Sequence, residues 1–254
     1  IRYNRLLKEQ ANVLNFLCEQ RTAIINGAAG TGKTVIAVQK AHSHANSGDK
    51  VLFLCYNRFL KEHLEKQHSH SYIDYYTIDG YCCKLCNLSA PDYYIMKQKL
   101  EEIFYSGKSP YDHIIIDEGQ DLAIDKIDDE VIEIMQQIIL ENTEHGTFFI
   151  FYDKYQLIQF GATELPKYIL DADCKLTLYK NCRNTKKIAE TSLSPINGRL
   201  PIMNDETYYS TSEDTVKVYF EASNADIRGQ IDSIITGIEK QGYTNIVILT
   251  TKTE

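Results

Sequence analysis

Ala23-Ile24-Ile25-Asn26-Gly27-Ala28-Ala29-Gly30-Thr31-Gly32-Lys33-Thr34-Val35-Ile36-Ala37-Val38 runs from one apolar segment, through three glycines, into another. The spacing reads as strand, phosphate loop, helix. Gly27, Gly30 and Gly32 let the backbone N–H groups of Gly27 to Thr34, including Ala28, Ala29 and Thr31, turn around an anion, and the start of the following helix adds partial positive charge. Lys33 reaches the outer phosphates as a point charge, and the Thr34 hydroxyl suits a phosphate-bound Mg²⁺. The ligand class this implies is a nucleoside triphosphate. A glycine-rich turn matching by chance would in most cases lack the flanking strand and helix.

A second signal lies 84 positions beyond Lys33, where His113-Ile114-Ile115-Ile116 reads as a buried strand ending in Asp117 and Glu118. Side chains alternate along a strand, so the two acids can take different tasks. Asp117 suits the Mg²⁺ shell and Glu118 the orientation or deprotonation of an attacking water. Thr147 to Asp153 reads as another buried strand, which places Gln156 at the same edge, where an amide can sense a γ-phosphate. Arg183 can stabilise charge on a transferring phosphoryl group, or simply be a surface arginine.

At 254 residues the chain can bury one large core or two modest ones, and two unequal lobes fit its pattern best. No apolar run is long enough to cross a bilayer. The first residues, Ile-Arg-Tyr, give neither a signal peptide nor an initiator Met, so a piece of a longer soluble protein is expected. Seven Cys, an odd number lying mostly in apolar patterns, point to reduced thiols and a cytoplasmic setting. Cys82, Cys83 and Cys86 have no second ligand pair at zinc spacing and read as helix-packing thiols. The net charge of −8 excludes a protein that coats nucleic acid by bulk charge, but not a groove that grips a single strand.

Leu6, Leu7, Val13, Leu14 and Leu17 recur at helical intervals, with Gln10 on the same segment. Val35 to Asn46 is expected as a helix and Val51 to Tyr56 as a buried strand, a β-α-β unit with parallel strands. Tyr56, Arg58 and Lys61, at the end of that strand, are either contacts to nucleic acid or ordinary edge residues. His68 and His70 read as a solvated loop. Tyr75 to Thr77 reads as a strand, 91–105 and 127–140 as helices, and Leu176 to Leu178 as the opening of a second lobe. Val216 to Phe220, Ala225 to Lys240 and Ile246 to Leu249 complete a second β-α-β pattern. The expected domains are residues 1–172 and 173–254, the second truncated.

With the phosphate loop, Asp117-Glu118-Gly119-Gln120-Asp121 and Asn181-Cys182-Arg183-Asn184 in register, the chain resembles the UvrD-like superfamily 1 helicases, in particular those linked to nuclease-related domains. That resemblance implies an α/β, RecA-like P-loop NTPase with a parallel sheet flanked by helices, followed by the start of a second RecA-like domain. It implies ATP and Mg²⁺ as cofactors and single-stranded or partly duplex nucleic acid as partner, DNA before RNA, with a nuclease domain or subunit as a further partner. By position, Gln10 resembles the family's adenine-recognising glutamine, and Gln156 its γ-phosphate glutamine. Arg183 resembles the arginine that completes the site from the second lobe. Tyr56-Asn57 and Thr77-Ile78-Asp79 fall where the family contacts a single strand. Cys182 stands where many relatives have a base-stacking aromatic, Asp79 replaces a frequent His, and the chain ends before the last two family motifs.

The reading is an ATP-dependent nucleic-acid motor. Its rivals are a nucleic-acid-sensing ATPase that does not unwind, a nucleotide-dependent switch, and a metabolite kinase, the last disfavoured by the Gln-Asp tail of the acidic motif.

Overall fold

Period-two alternation along four apolar strands decides the layering. Ile24, Leu52, Leu54, Ile114, Ile116, Phe148 and Ile150 face one core, while Ala23, Ile25, Val51, Phe53, Ile115, Phe149 and Phe151 face the other. Both faces of the sheet are therefore covered by helices. The computed structural model describes residues 8–122, 126–156, 167–170, 172, 174–182, 202–203, 224–242, 244–246 and 248.

The elements of the first unit are α1 (Lys8–Leu17), β1 (Thr22–Gly27), α2 (Lys33–Asn46), β2 (Val51–Cys55), α3 (Arg58–Gln67), β3 (Ile73–Thr77), α4 (Ile78–Cys86) and α5 (Tyr93–Ser106). They continue with β4 (His113–Ile116), a 3₁₀ turn (Gly119–Asp121), α6 (Lys126–Asn142), β5 (Thr147–Tyr152), α7 (Lys167–Leu170) and β6 (Lys175–Leu178). The six strands form one parallel sheet in the order β3-β2-β4-β5-β1-β6. β5 thus lies between the strand that feeds the glycine-rich loop and the strand that ends in the two acids. A fold of this kind, with its phosphate loop on β1, is α/β and RecA-like.

Local chemistry sets the helix ends. Asn57 caps α3 by accepting from Leu60 N at 2.7 Å, Thr77 caps α4 by accepting from Gly80 N at 3.0 Å, and Asp92 caps α5. α2 differs: it begins at Gly32 with no side-chain cap, leaving its first N–H groups available to an anion. Arg21, just before β1, donates to the carbonyls of Leu140 at 3.0 Å and of Thr143 and Gly146 at 3.1 Å, which fastens the start of β1 to the end of α6 and the turn after it.

β6 does not open a second lobe but pairs with β1, Ile24 opposite Lys175 and Gly27 opposite Leu178, and Leu178 is buried in the first core. The compact units are residues 1–214 and 215–254. A short ladder, β7 (Lys180–Asn181) with β8 (Ile202–Met203), also belongs to the first. In the second unit, α8 (Asn224–Lys240) has Ile231, Ile234, Ile235 and Ile238 half-buried and Ile227 exposed, a helical stripe. The strand expected at 216–220 lies outside the described residues, and Ile246 and Ile248 are described outside any strand.

Candidate functional site

The ends of β1, β5 and β4 lie side by side, and each delivers part of the candidate site. On β1, Gly30 and Gly32 hold φ near +88° and +91°, the left-handed conformation the loop needs to turn its amides inward. Thr31 Oγ1 donates to Ala28 O at 2.8 Å and braces the loop. Lys33 is buried; its Nζ donates to Gly27 O at 2.7 Å and stands 3.9 Å from Asp153 Oδ2.

β4 delivers the acids. Asp117 is fully buried, and Thr34 Oγ1 donates to its Oδ2 at 2.7 Å, while its Oδ1 has no hydrogen-bond partner. Burial pushes the Asp117 carboxyl up to about 6, with the charge of Glu118 adding to the rise and the Thr34 hydrogen bond and Lys33 opposing it. An orphaned carboxylate oxygen beside a hydroxyl is a hard oxygen donor set that a small divalent cation completes. Asp117 and Thr34 therefore fit Mg²⁺. Glu118 has φ +57°, a conformation that costs a non-glycine residue about 1–2 kcal/mol. The surrounding structure must hold it there.

The side chain that holds it is Gln120. Its Nε2 donates to Glu118 Oε2 at 2.8 Å and to Asp121 Oδ2 at 3.2 Å, while its Oε1 accepts from Asp153 N at 2.9 Å. Asp153, at the end of β5, accepts from Gln156 Nε2 at 2.7 Å and from Tyr155 N at 3.0 Å. Lys33, Glu118 and Gln156, read from the sequence as phosphate, water and γ-phosphate groups, are thus linked through Asp153 and Gln120, while the Thr34–Asp117 pair forms a separate hydrogen bond. Gln120 and Asp153 were missed as members of that linkage. The first appeared only as the tail of an acidic motif and the second only as a strand end; for Asp153, a polar residue directly after an apolar strand is the signal it offered.

Gln10 is buried over the loop, with Nε2 3.4 Å from Thr31 O and 3.8 Å from Cys182 Sγ. From the segment after β6, Asn181 Nδ2 donates to Ala29 O at 3.1 Å and Cys182 N to Gly30 O at 2.7 Å. Burial pushes the Cys182 thiol up to about 11, with the charge of Glu9 adding to the rise, so this sulfur packs rather than reacts. Arg183 lies outside the described residues.

Among the candidate nucleic-acid contacts, Asn57 and Thr77 serve as helix caps and Tyr56 packs half-buried against the core. Arg58 is exposed and pairs with Glu62 at 2.7 Å. At the opposite end of the sheet, His44 and His113 stack with ring centroids 3.5 Å apart. His113 Nε2 is 3.3 Å from Asp49 Oδ2, and its Nδ1 accepts from Thr147 N at 3.2 Å. With Asp49 they form a grouping of metal-ligand type. The stack puts the two rings in nearly parallel planes, so no single ion lies in both, and both nitrogens of His113 and Nε2 of His44 already have protein partners. His68 and His70 lie in the connection between α3 and β3, as expected, but half-buried, and they meet His42 edge to face at 6.1 and 5.8 Å.

Sheet order, phosphate loop and paired acids define a P-loop NTPase. Within that class, residues 20–186 match the family model described as Schlafen group 3, DNA/RNA helicase domain, and the chain belongs to that family. Comparison with curated proteins gave no match. Among solved structures, the chain is similar to DnaA from Aquifex aeolicus bound to AMPPCP, at 16% identity and TM-score 0.42, over 94% of this chain and 67% of that one. It is similar to a replication initiator DnaA bound to AMPPCP and single-stranded DNA, at 16% identity and TM-score 0.44, over 92% of this chain and 64% of that one. The Pif1 helicase from Candida albicans is similar at 16% identity and TM-score 0.47, over 91% of this chain and 54% of that one. The chain thus spans between about half and two thirds of these proteins.

Proposed function

We propose that the chain is the ATP-hydrolysing part of a nucleic-acid motor, with a first RecA-like domain that holds MgATP and a second that begins in residues 215–254. The observation that carries this reading is the buried Asp117, whose Oδ2 takes the Thr34 hydroxyl and whose Oδ1 has no partner, one strand from Asp153 and two from the phosphate loop. The motif register shared with UvrD-like superfamily 1 helicases, and the helicase-domain family, support it.

The uncapped start of α2 and the inward-turning loop amides bind the phosphates, and Lys33 offsets charge on the outer ones. Thr34 and Asp117 would hold Mg²⁺, which when bound would supply further positive charge against the phosphates. Glu118 orients the attacking water and accepts its proton, while Gln156 donates to the γ-phosphate. Gln10 lies against the loop where an adenine edge can meet its amide. Arg183 is assigned the role of offsetting charge on the transferring phosphoryl. The N-termini of α3 and α4, with Tyr56, Asn57, Arg58 and Thr77, supply backbone N–H groups and one guanidinium to a strand's phosphates.

The test is ATP turnover by the protein with and without single-stranded DNA or RNA. Lys33→Ala should lower kcat/KM by at least about 10²-fold. Glu118→Gln should lower kcat by about 10²- to 10⁴-fold with ATP affinity retained. Unchanged turnover in either variant removes the mechanism. A nucleic-acid-sensing ATPase that does not unwind is the second reading, and strand separation on a forked duplex distinguishes the two.

A further inference from the structure

Resting on the reading above, we propose that Gln120 is a positioning residue that ties the aim of Glu118 to whether Lys33 and Gln156 are engaged by a γ-phosphate. Four contacts form the path. Lys33 Nζ stands 3.9 Å from Asp153 Oδ2, Gln156 Nε2 donates to that same oxygen at 2.7 Å, Asp153 N donates to Gln120 Oε1 at 2.9 Å, and Gln120 Nε2 donates to Glu118 Oε2 at 2.8 Å.

The chemistry at each end explains the residue types. Asp153 is a buried carboxyl group that accepts from Gln156 and stands 3.9 Å from Lys33, the two groups a γ-phosphate needs. A phosphate oxygen competes for both donors, and Asp153 must give them up. Its own amide N–H is the group that holds Gln120, so a change in the turn at 153 reaches the side chain at 120. Only a carboxamide suits that place, because one end must accept an N–H while the other donates to two carboxylates, Glu118 and Asp121. These partners also fix which end of the amide is which. A glutamate at 120 would put a third carboxylate against the pair, and an apolar residue would leave Asp153 N and Glu118 without their partners. Gln120 is buried with 5% of its surface exposed, so it acts through protein groups rather than on a ligand in solvent.

The experiment compares wild type, Gln120→Met, Glu118→Gln and the double variant in the full protein. Gln120→Met should lower kcat about 10- to 100-fold with KM for ATP within about twofold, as expected when a reacting group is misplaced rather than removed. Added to Glu118→Gln, it should change the residual rate by less than about twofold, because its effect passes through Glu118. A second readout needs no turnover: in wild type, a non-hydrolysable ATP analogue and ADP should give different amide exchange across residues 118–122, and Gln120→Met should erase that difference. Should the Met variant not fold, Gln120→Asn, too short to span both partners, takes its place with the same expected signs. A kcat within about twofold of wild type, a fall of equal size in the Glu118→Gln background, or identical exchange with analogue and ADP in wild type would overturn the proposal. If wild type turns over no ATP while the exchange difference stands, the hydrolytic reading fails and the linkage survives.

Discussion

Asp117 is costly to the fold without a cation. Its folded-state carboxyl is raised from 3.8 to about 6, so its contribution to stability is fully present below pH 3.8 and is lost as pH rises through about 6. At neutral pH the buried charge therefore works against folding, by about 1–3 kcal/mol. Asp117→Asn should thus raise the melting temperature of the nucleotide-free protein by a few degrees, while abolishing the extra stabilisation that Mg²⁺ gives in the presence of ATP. Differential scanning calorimetry with and without MgATP reads both halves; a fall in melting temperature without nucleotide would contradict the assignment. Gly32 presents the opposite case, because its φ of +91° disfavours any side chain and a Cβ there would collide with the amide of Gln10. Gly32→Ala should cost about 1–2 kcal/mol from the backbone alone and weaken ATP binding, measured by urea unfolding and by nucleotide titration.

Among the elements, α2 differs at its two ends, uncapped at its start and held near its finish by the His44–His113 stack. Burial, then His113 and Lys40, lowers His44 from 6.5 to about 3, and burial lowers His113 against the pull of Asp49. A His whose folded pKa is depressed gives stability that is complete above the unfolded value of 6.5 and is lost as pH falls towards the folded one. Wild type should therefore lose more stability between pH 6.5 and pH 4 than His44→Gln does, as judged by urea unfolding at each pH. Equal slopes would mean that the stack does not titrate with folding. The sequence made these elements legible where apolar runs were uninterrupted, as in Ile114 to Ile116 and Phe148 to Phe151. It did not reveal the stack, because β4–β5 pairing sets His113 beside Thr147, and His44 on α2 and Asp49 in the turn after it reach them only through the packing of that helix on the sheet. The same holds for Gln120 and Asp153, 33 positions apart and joined by one hydrogen bond.

Across the whole chain, the phosphate loop and the two acids were readable because each lies on one local pattern, whereas the sheet to which residues 175–178 belong was not. Lys175-Leu176-Thr177-Leu178 is a short strand of mixed polarity that could open a new sheet or close an old one; only its pairing with β1 decides, and it closes the old one. The consequence is that residues beyond 172 help to shape the nucleotide loop. β6 covers the open side of β1, and Asn181 and Cys182 hold the carbonyls of Ala29 and Gly30. A chain ending at 172 loses the burial of Leu178, about 1.5–3 kcal/mol by itself, besides these hydrogen bonds. At about 2–4 °C per kcal/mol for a chain of this size, its melting temperature should fall by roughly 5–10 °C. Its affinity for MgATP should fall as well, since the loop loses two of its anchors. A chain ending at 214 keeps β6 and both anchors, and should match the 254-residue chain in ATP affinity. Calorimetry and nucleotide titration on the two truncations decide the matter, and equal ATP affinity in both would show that β6 and its sequel form no part of the nucleotide-binding unit.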